Sequence, residues 1–178
     1  DRPVSLDFSS NDYLGLATHP DVVNAAIAAA RQYGAGSTGS RLLSGNYSLI
    51  ESFERQIAQS KHTEAALIFS SGYQANMTVL ACLLSQRVLP APPIVFFDRL
   101  NHSSLYNAMF LSGAEYVLFE RNDMADLRRQ LQTHCVASRP AFIVTETVHG
   151  MEADLLPIAQ VVDIAASYNC FLYLDEAH

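Results

Sequence analysis

The segment IVFFDRLNHSSLYNAMFLSGAEYVLFERNDMADLRRQLQTH, residues 94–134, decides the fold. It opens on a short apolar run, IVFF (94 to 97), passes through a helix-like stretch at 103 to 112, returns to an apolar run, EYVLF (115 to 119), and enters a second helix-like stretch at 123 to 134. Short runs rich in β-branched and aromatic residues that alternate with helical stretches read as buried strands joined by helical crossovers. The alternation continues outward from this segment. Upstream, AALIF (65 to 69) precedes a helix-like stretch at 73 to 84; downstream come AFIVT (141 to 145), a helix-like stretch at 156 to 168 and CFLYL (170 to 174). Near-continuous apolar strands with helical crossovers imply a mainly parallel sheet with helices on both faces, an α/β fold.

Ahead of this series, DVVNAAIAAARQY (21 to 33) has helical period and alanine-rich propensity, with Gly34 placed to cap its end. A glycine-rich segment follows. A second helix is expected to start at Ser48, where Ser48 and Glu51 fit the S-x-x-E capping box. The chain is accordingly read as an N-terminal segment and glycine-rich loop over 1–47 and the first part of a larger domain over 48–178. The final CFLYLDEAH is a core strand with its terminal loop, so the sequence is expected to be a portion of a longer chain whose sheet is still being built at that point.

With 178 residues and 49% hydrophobic content, the chain can bury a substantial core, and its net charge of −7 provides no phosphate-neutralising surface. Nucleic acid and anionic membrane partners are therefore disfavoured, and small-molecule chemistry is expected. No apolar run approaches the roughly 20 residues that span a bilayer. The start, DRPVSLDFSSNDYLG, lacks the basic-then-apolar pattern of a secretory signal, so a cytoplasmic address is expected. Cys82, Cys135 and Cys170 have no CxxC or Cys/His spacing, so neither a disulfide framework nor a metal site is expected.

Two motifs tempt and fail. Gly34, Gly36 and Gly39 satisfy G-x-G-x-x-G, but a dinucleotide loop needs a strand before it and a helix directly after it, and here a helix precedes and SRLLSGN follows. Asp175-Glu176-Ala177-His178 spells a helicase box. An NTPase also needs G-x-x-x-x-G-K-[ST], and the chain's single lysine, Lys61, sits in SKHTE.

In an open parallel sheet, ligands bind beyond the carboxyl ends of the strands. After AALIF come Ser70-Ser71-Gly72-Tyr73, opening a helix whose first N–H groups can hold a phosphate. Asp98-Arg99-Leu100-Asn101-His102 follows IVFF, Glu146 follows AFIVT, and Asp175 and His178 follow CFLYL. An anion cradle, a flat side chain and an aspartate able to keep a ring nitrogen protonated are what pyridoxal phosphate asks of a protein. Taken singly, a capped-helix glycine, a solvated aspartate and a surface histidine are the commoner readings.

The ordered set NDYLGL (11 to 16), GSTGSRLLSGN (36 to 46), SSGYQAN (70 to 76), DRLNHSSL (98 to 105), TETVHGMEAD (145 to 154) and LDEAH (174 to 178) resembles the α-oxoamine synthases of pyridoxal phosphate (PLP) fold type I. These enzymes condense an amino acid with an acyl-CoA thioester and lose CO2. The resemblance implies that His102 stacks on the pyridine ring and that Ser71, Gly72 and Tyr73 bind the cofactor phosphate. It also implies that Asp175 pairs with the ring nitrogen, that His178 reaches the phenolic oxygen and that Glu146 is the active-site acid. His102, Asp175 and His178 are the catalytic candidates. Asn11 and Ser40 are expected to face substrate, with the loop around Ser40 and Arg41 reaching a neighbouring subunit's site in a homodimer. The Schiff-base lysine is implied to lie beyond His178, since Lys61 precedes the first strand of the series; residues 1–178 alone are expected to be inactive.

Within that family GSTGSRLLSGN most resembles the 8-amino-7-oxononanoate synthases, which join alanine to pimeloyl-CoA or its acyl-carrier equivalent for biotin synthesis. The chain departs from the pattern at Val148-His149-Gly150-Met151-Glu152-Ala153-Asp154, where the family usually reads Val-Phe-Ser-Met-Asp-Gly-Asp. That leaves the acyl chain and the amino acid open. Acyltransferases making 2-amino-3-ketobutyrate, 5-aminolevulinate or a long-chain signal share these motifs, as does an inactive partner subunit, while an aminotransferase of the same fold would lack the CoA requirement.

Overall fold

The computed structural model describes residues 7–178; the first six residues of the expected N-terminal segment lie outside them. The chain forms two compact units, one ending at Ile68 and the other spanning Phe69–His178.

The first unit carries a 3-10 turn (Leu16–Thr18), α1 (Pro20–Tyr33) and α2 (Ser48–Lys61). Proline in the first turn and the His19 ring, which accepts from the Asp21 N–H at 3.3 Å, start α1, and Gly34 ends it as expected. The capping box at Ser48 does not form. Tyr47 is the N-cap residue and makes no side-chain cap bond, Ser48 already lies inside the helix, and the Glu51 carboxylate accepts from Asn46 Nδ2 at 2.6 Å instead. Between the helices the glycines serve close packing: a Cβ at Gly45 would sit 2.0 Å from the Gly39 carbonyl oxygen.

The second unit is a four-stranded parallel sheet in the order β2-β1-β3-β4, with β1 Ile94–Asp98, β2 Glu115–Phe119, β3 Ala141–Glu146 and β4 Phe171–Asp175. Its helices are α3 (Gly72–Leu83), α4 (Ser103–Ser112), α5 (Met124–His134) and α6 (Ile158–Ser167). The four strands and four helices fall where the alternation of the sequence puts them, within a residue or two. The expected strand at 65–69 is not formed: no ladder partner stands beside it among the described residues, Leu67 is 70% exposed, and the Ile68 N–H donates to the Glu54 carboxylate at 2.7 Å.

Strand periodicity sorts the core. Ile94, Phe96 and Ile143 pack on one face with Leu127 and Leu131 of α5 and Val161 and Ile164 of α6. Val95, Phe97, Phe142 and Val144 pack on the other with Leu80 and Leu84 of the α3 end and Leu105 and Met109 of α4. Both faces being covered explains why the strands read as apolar runs and not as an alternation.

Candidate functional site

Every strand of a parallel sheet points its carboxyl end the same way, so the segments following β1, β3 and β4 meet at one rim. There they line a cavity of about 350 Å³ together with Gly72, Tyr73, Asn76, His102, Ser104, Glu146, Asp175 and His178. Of the expected residues, Gly72, Tyr73, His102, Glu146, Asp175 and His178 are thus brought together. Ser71 stands next to them as the α3 N-cap, its hydroxyl accepting from the Gln74 N–H at 3.1 Å. The first backbone bond of α3 runs from the Ala75 N–H to the Ser71 carbonyl at 3.0 Å, which places the Gly72 and Tyr73 N–H groups ahead of the helix ladder. A Cβ on Gly72 would meet nothing within 4 Å, so the helix start opens onto free space.

Asn11 and Ser40 belong to the other unit. Both are exposed. Arg41, beside Ser40, is engaged within that unit: its guanidinium forks onto Glu54, with Nη1 on Oε1 and Nη2 on Oε2 at 2.8 Å, and its Nε donates to Asn46. The pair holds the Glu54 carboxyl at about 2, with the Arg41 bond as the main cause and the Ile68 N–H adding to it.

The rim contains a polar network that the sequence alone did not reveal. Asn76 Nδ2 donates to Asp175 Oδ2 at 2.7 Å and to Ser104 Oγ at 3.0 Å, while Asn76 Oδ1 accepts from the Tyr173 hydroxyl at 2.9 Å. Ser104 Oγ lies 2.7 Å from His102 Nδ1, and the second Asp175 oxygen accepts from the Ala177 N–H at 2.9 Å. Asp175 and His102, separate in sequence, are therefore joined by three hydrogen bonds through Asn76 and Ser104. Burial pushes the Tyr173 phenol up to about 12, with Asp175 adding to the effect, so the hydroxyl keeps its proton and remains a donor.

Glu146 accepts the backbone N–H of His102 on Oε1 and is 5% exposed. Burial lifts its carboxyl above the usual range; the His102 N–H opposes this and the nearby Asp175 adds to it. Behind the rim, Asp98 is fully buried and fastens the turn that presents His102. One of its oxygens accepts the Leu100 N–H at 3.0 Å, the other accepts the Thr145 hydroxyl at 3.1 Å, and His149 Nε2 approaches at 3.3 Å. His149 is itself 1% exposed, whereas His19, His62 and His134 are exposed. Gly150, where the resemblance expects serine, has a steric role: a Cβ there would sit 2.7 Å from His178 Nε2, so the missing side chain makes room for that imidazole.

The arrangement offers an anion cradle at a helix start, an anchored carboxylate, a second carboxyl raised above its usual range by burial, and two imidazoles around one opening. A model of the family described as aminotransferase class I and II matches residues 3–178. A protein of Paramagnetospirillum magneticum provisionally named 8-amino-7-oxononanoate synthase is 44% identical over 173 residues, covering 97% of this chain and 44% of that protein. The serine palmitoyltransferase of Sphingomonas wittichii superposes with a TM-score of 0.87 at 32% identity, over 94% of this chain and 40% of that one. The serine palmitoyltransferase of S. paucimobilis, solved with bound PLP–myriocin aldimine, superposes with a TM-score of 0.86 at 29% identity, over 94% of this chain and 42% of that one. The chain thus spans less than half the length of the relatives it matches.

Proposed function

The chain belongs to the aminotransferase class I and II family, and from that premise we propose that it is part of a PLP enzyme of the α-oxoamine synthase branch. Such an enzyme joins an amino acid to an acyl-CoA thioester and releases free CoA and CO2 with the α-amino ketone. The observation that carries this reading is the Asn76 amide, which ties the Asp175 carboxylate and, through Ser104, the His102 imidazole into one hydrogen-bonded set beside the start of α3.

The residues present suit the cofactor. The N–H groups of Gly72 and Tyr73 suit a dianionic phosphate, since a helix start favours negative charge. Asp175, held by Asn76 and the Ala177 N–H, retains a carboxylate to meet a protonated ring nitrogen. His102 supplies the flat face, and its backbone is fixed by Glu146. His178, seated against Gly150, is the candidate for the phenolic oxygen. When bound, PLP supplies an electron sink for a carbanion at the amino-acid Cα. Burial raises the Glu146 carboxyl above its usual range, which suits it to exchange a proton beside that centre. Asn11 and Ser40 are proposed to contact substrate in a cytoplasmic homodimer. For the substrates we propose alanine and pimeloyl-CoA, supported by the name of the Paramagnetospirillum relative.

A second reading, serine with a long-chain acyl-CoA, is favoured by the serine palmitoyltransferases that superpose on 94% of this chain. The experiment is a pair of assays on the PLP-loaded full-length protein: alanine with pimeloyl-CoA, and serine with palmitoyl-CoA, each followed by free thiol and CO2. Equimolar thiol and CO2 in one of them is expected. Amino-group exchange with a 2-oxo acid and no thiol in either would sink the reading in favour of an aminotransferase.

A further inference from the structure

The hydrogen bonds around Asn76 leave one way to place their protons. A carboxylate oxygen only accepts, so the Asn76 atom 2.7 Å from Asp175 must be the NH2 group, which fixes the amide against a flip. Its carbonyl oxygen then faces Tyr173 and accepts that hydroxyl's proton, and its second N–H points at Ser104 Oγ. Having accepted there, the Ser104 hydroxyl has its own proton to give, and the acceptor in reach is His102 Nδ1 at 2.7 Å. The Ser104 backbone N–H also points at that nitrogen, at 3.2 Å. A ring nitrogen that receives two donors cannot carry a hydrogen of its own.

We infer that Asn76 is a positioning residue that orders the proton on His102: through Ser104 it makes Nδ1 an acceptor, so that the singly protonated imidazole carries its hydrogen on Nε2. The geometry favours this because every member of the relay is spent. Asn76 is 8% exposed and Ser104 1% exposed, so water does not readily substitute for either partner. The consequence is a fixed N–H donor on the far nitrogen of a ring that lines the cavity. That donor's use toward a ligand rests on the cofactor reading above; the proton's place does not.

The test is the nitrogen NMR spectrum of histidine-labelled intact protein at about pH 8, above the ordinary imidazole range, without PLP, with His102 assigned by His102→Gln. The expected spectrum shows Nδ1 unprotonated and Nε2 protonated. Asn76→Asp turns the Ser104 hydroxyl toward the new carboxylate and opens Ser104 Oγ to a proton from Nδ1. Ser104→Ala deletes the donor without adding charge. Each is expected to lower the Nε2–H to Nδ1–H ratio about fivefold, the worth of one hydrogen bond. A parent ring protonated on Nδ1 would overturn the inference, as would an unchanged ratio in Ser104→Ala with its fold intact. Failure of PLP to bind would count against the cofactor reading instead, since the spectra are recorded without it.

Discussion

Residues 69–178 bury Phe96, Phe97, Leu105, Leu127 and Ile143 completely, whereas α1 of the other unit buries no residue and α2 buries only Ala58. The sheet unit is organised by apolar strands sandwiched between helices. The unit ending at Ile68 is organised by polar and aromatic pairs: Arg41 with Glu54, Tyr33 stacked on Tyr47 at 5.5 Å, and Asp12 accepting the Leu16 N–H at 2.8 Å. The contrast teaches that a dry core frees its rim for chemistry. The sheet unit can hold Asp98, Asn101, Thr145, Glu146 and His149 buried at the strand ends because the strands beneath them are fixed by packing.

The comparison breaks first at the core. Phe96→Ala removes a side chain with no exposure from between β1 and the α5–α6 layer, and is expected to cost about 3–5 kcal/mol in denaturant unfolding. A loss below about 1 kcal/mol would mean that apolar packing is not what fixes the sheet.

The rim should respond more gently and in binding more than in folding. Asp175→Asn keeps the shape but removes the charge that a protonated ring nitrogen would meet, and a hydrogen bond to a charged group is worth about 1.5–3 kcal/mol. PLP titration of the full-length variant is expected to show a roughly tenfold to hundredfold weaker affinity, with a near-parental melting temperature. Equal affinity in variant and parent would detach Asp175 from the cofactor.

Glu146 sharpens the contrast through pH. Its folded value is raised by burial, so the folded state holds the proton better than the unfolded chain. Stability from this group is fully present below the ordinary carboxylate range and declines as pH rises through the raised folded value. Glu146→Gln, which keeps an oxygen for the His102 N–H, should flatten that decline in melting curves taken from about pH 4 to 8. Parallel curves for parent and variant would contradict the shift.

The sheet unit was largely legible because its signal is local: the runs IVFF and AFIVT carry apolar side chains for both faces of the sheet. The strand expected at 65–69 was misread for the complementary reason. An apolar run specifies a strand only when a neighbour completes the ladder, and the Ile68 N–H finds a carboxylate instead. His102, Glu146 and Asp175 were found at strand ends by topology. Asn76, Ser104 and Tyr173 were missed, although Asn76 and Ser104 lie inside the quoted motifs. Their partners are set by distance in space: Asn76 meets Asp175 across 99 positions of sequence. His149 was likewise seen only as a departure from a pattern, while its seat 3.3 Å from Asp98 depends on how the loop after β3 folds back.

The smallest effect belongs to the polar unit and tests whether its pairs organise it. Glu54 accepts both the Arg41 fork and the Ile68 N–H, and its folded value near 2 lies below the ordinary 4.5. A depressed carboxyl contributes stability that is present above its unfolded value and is lost as pH falls toward the folded one. In the parent, then, the exchange protection of the Ile68 amide should weaken between 4.5 and about 2. Glu54→Gln retains an oxygen for that amide but has no charge for Arg41. Its protection should start lower and stay level across the same interval once intrinsic exchange is divided out. With the Arg41 side chain 37% exposed, solvent screening limits what the pair adds to global stability, so the melting temperature should move little. Parallel protection profiles in parent and variant would show that the Arg41–Glu54 pair decorates this unit without organising it.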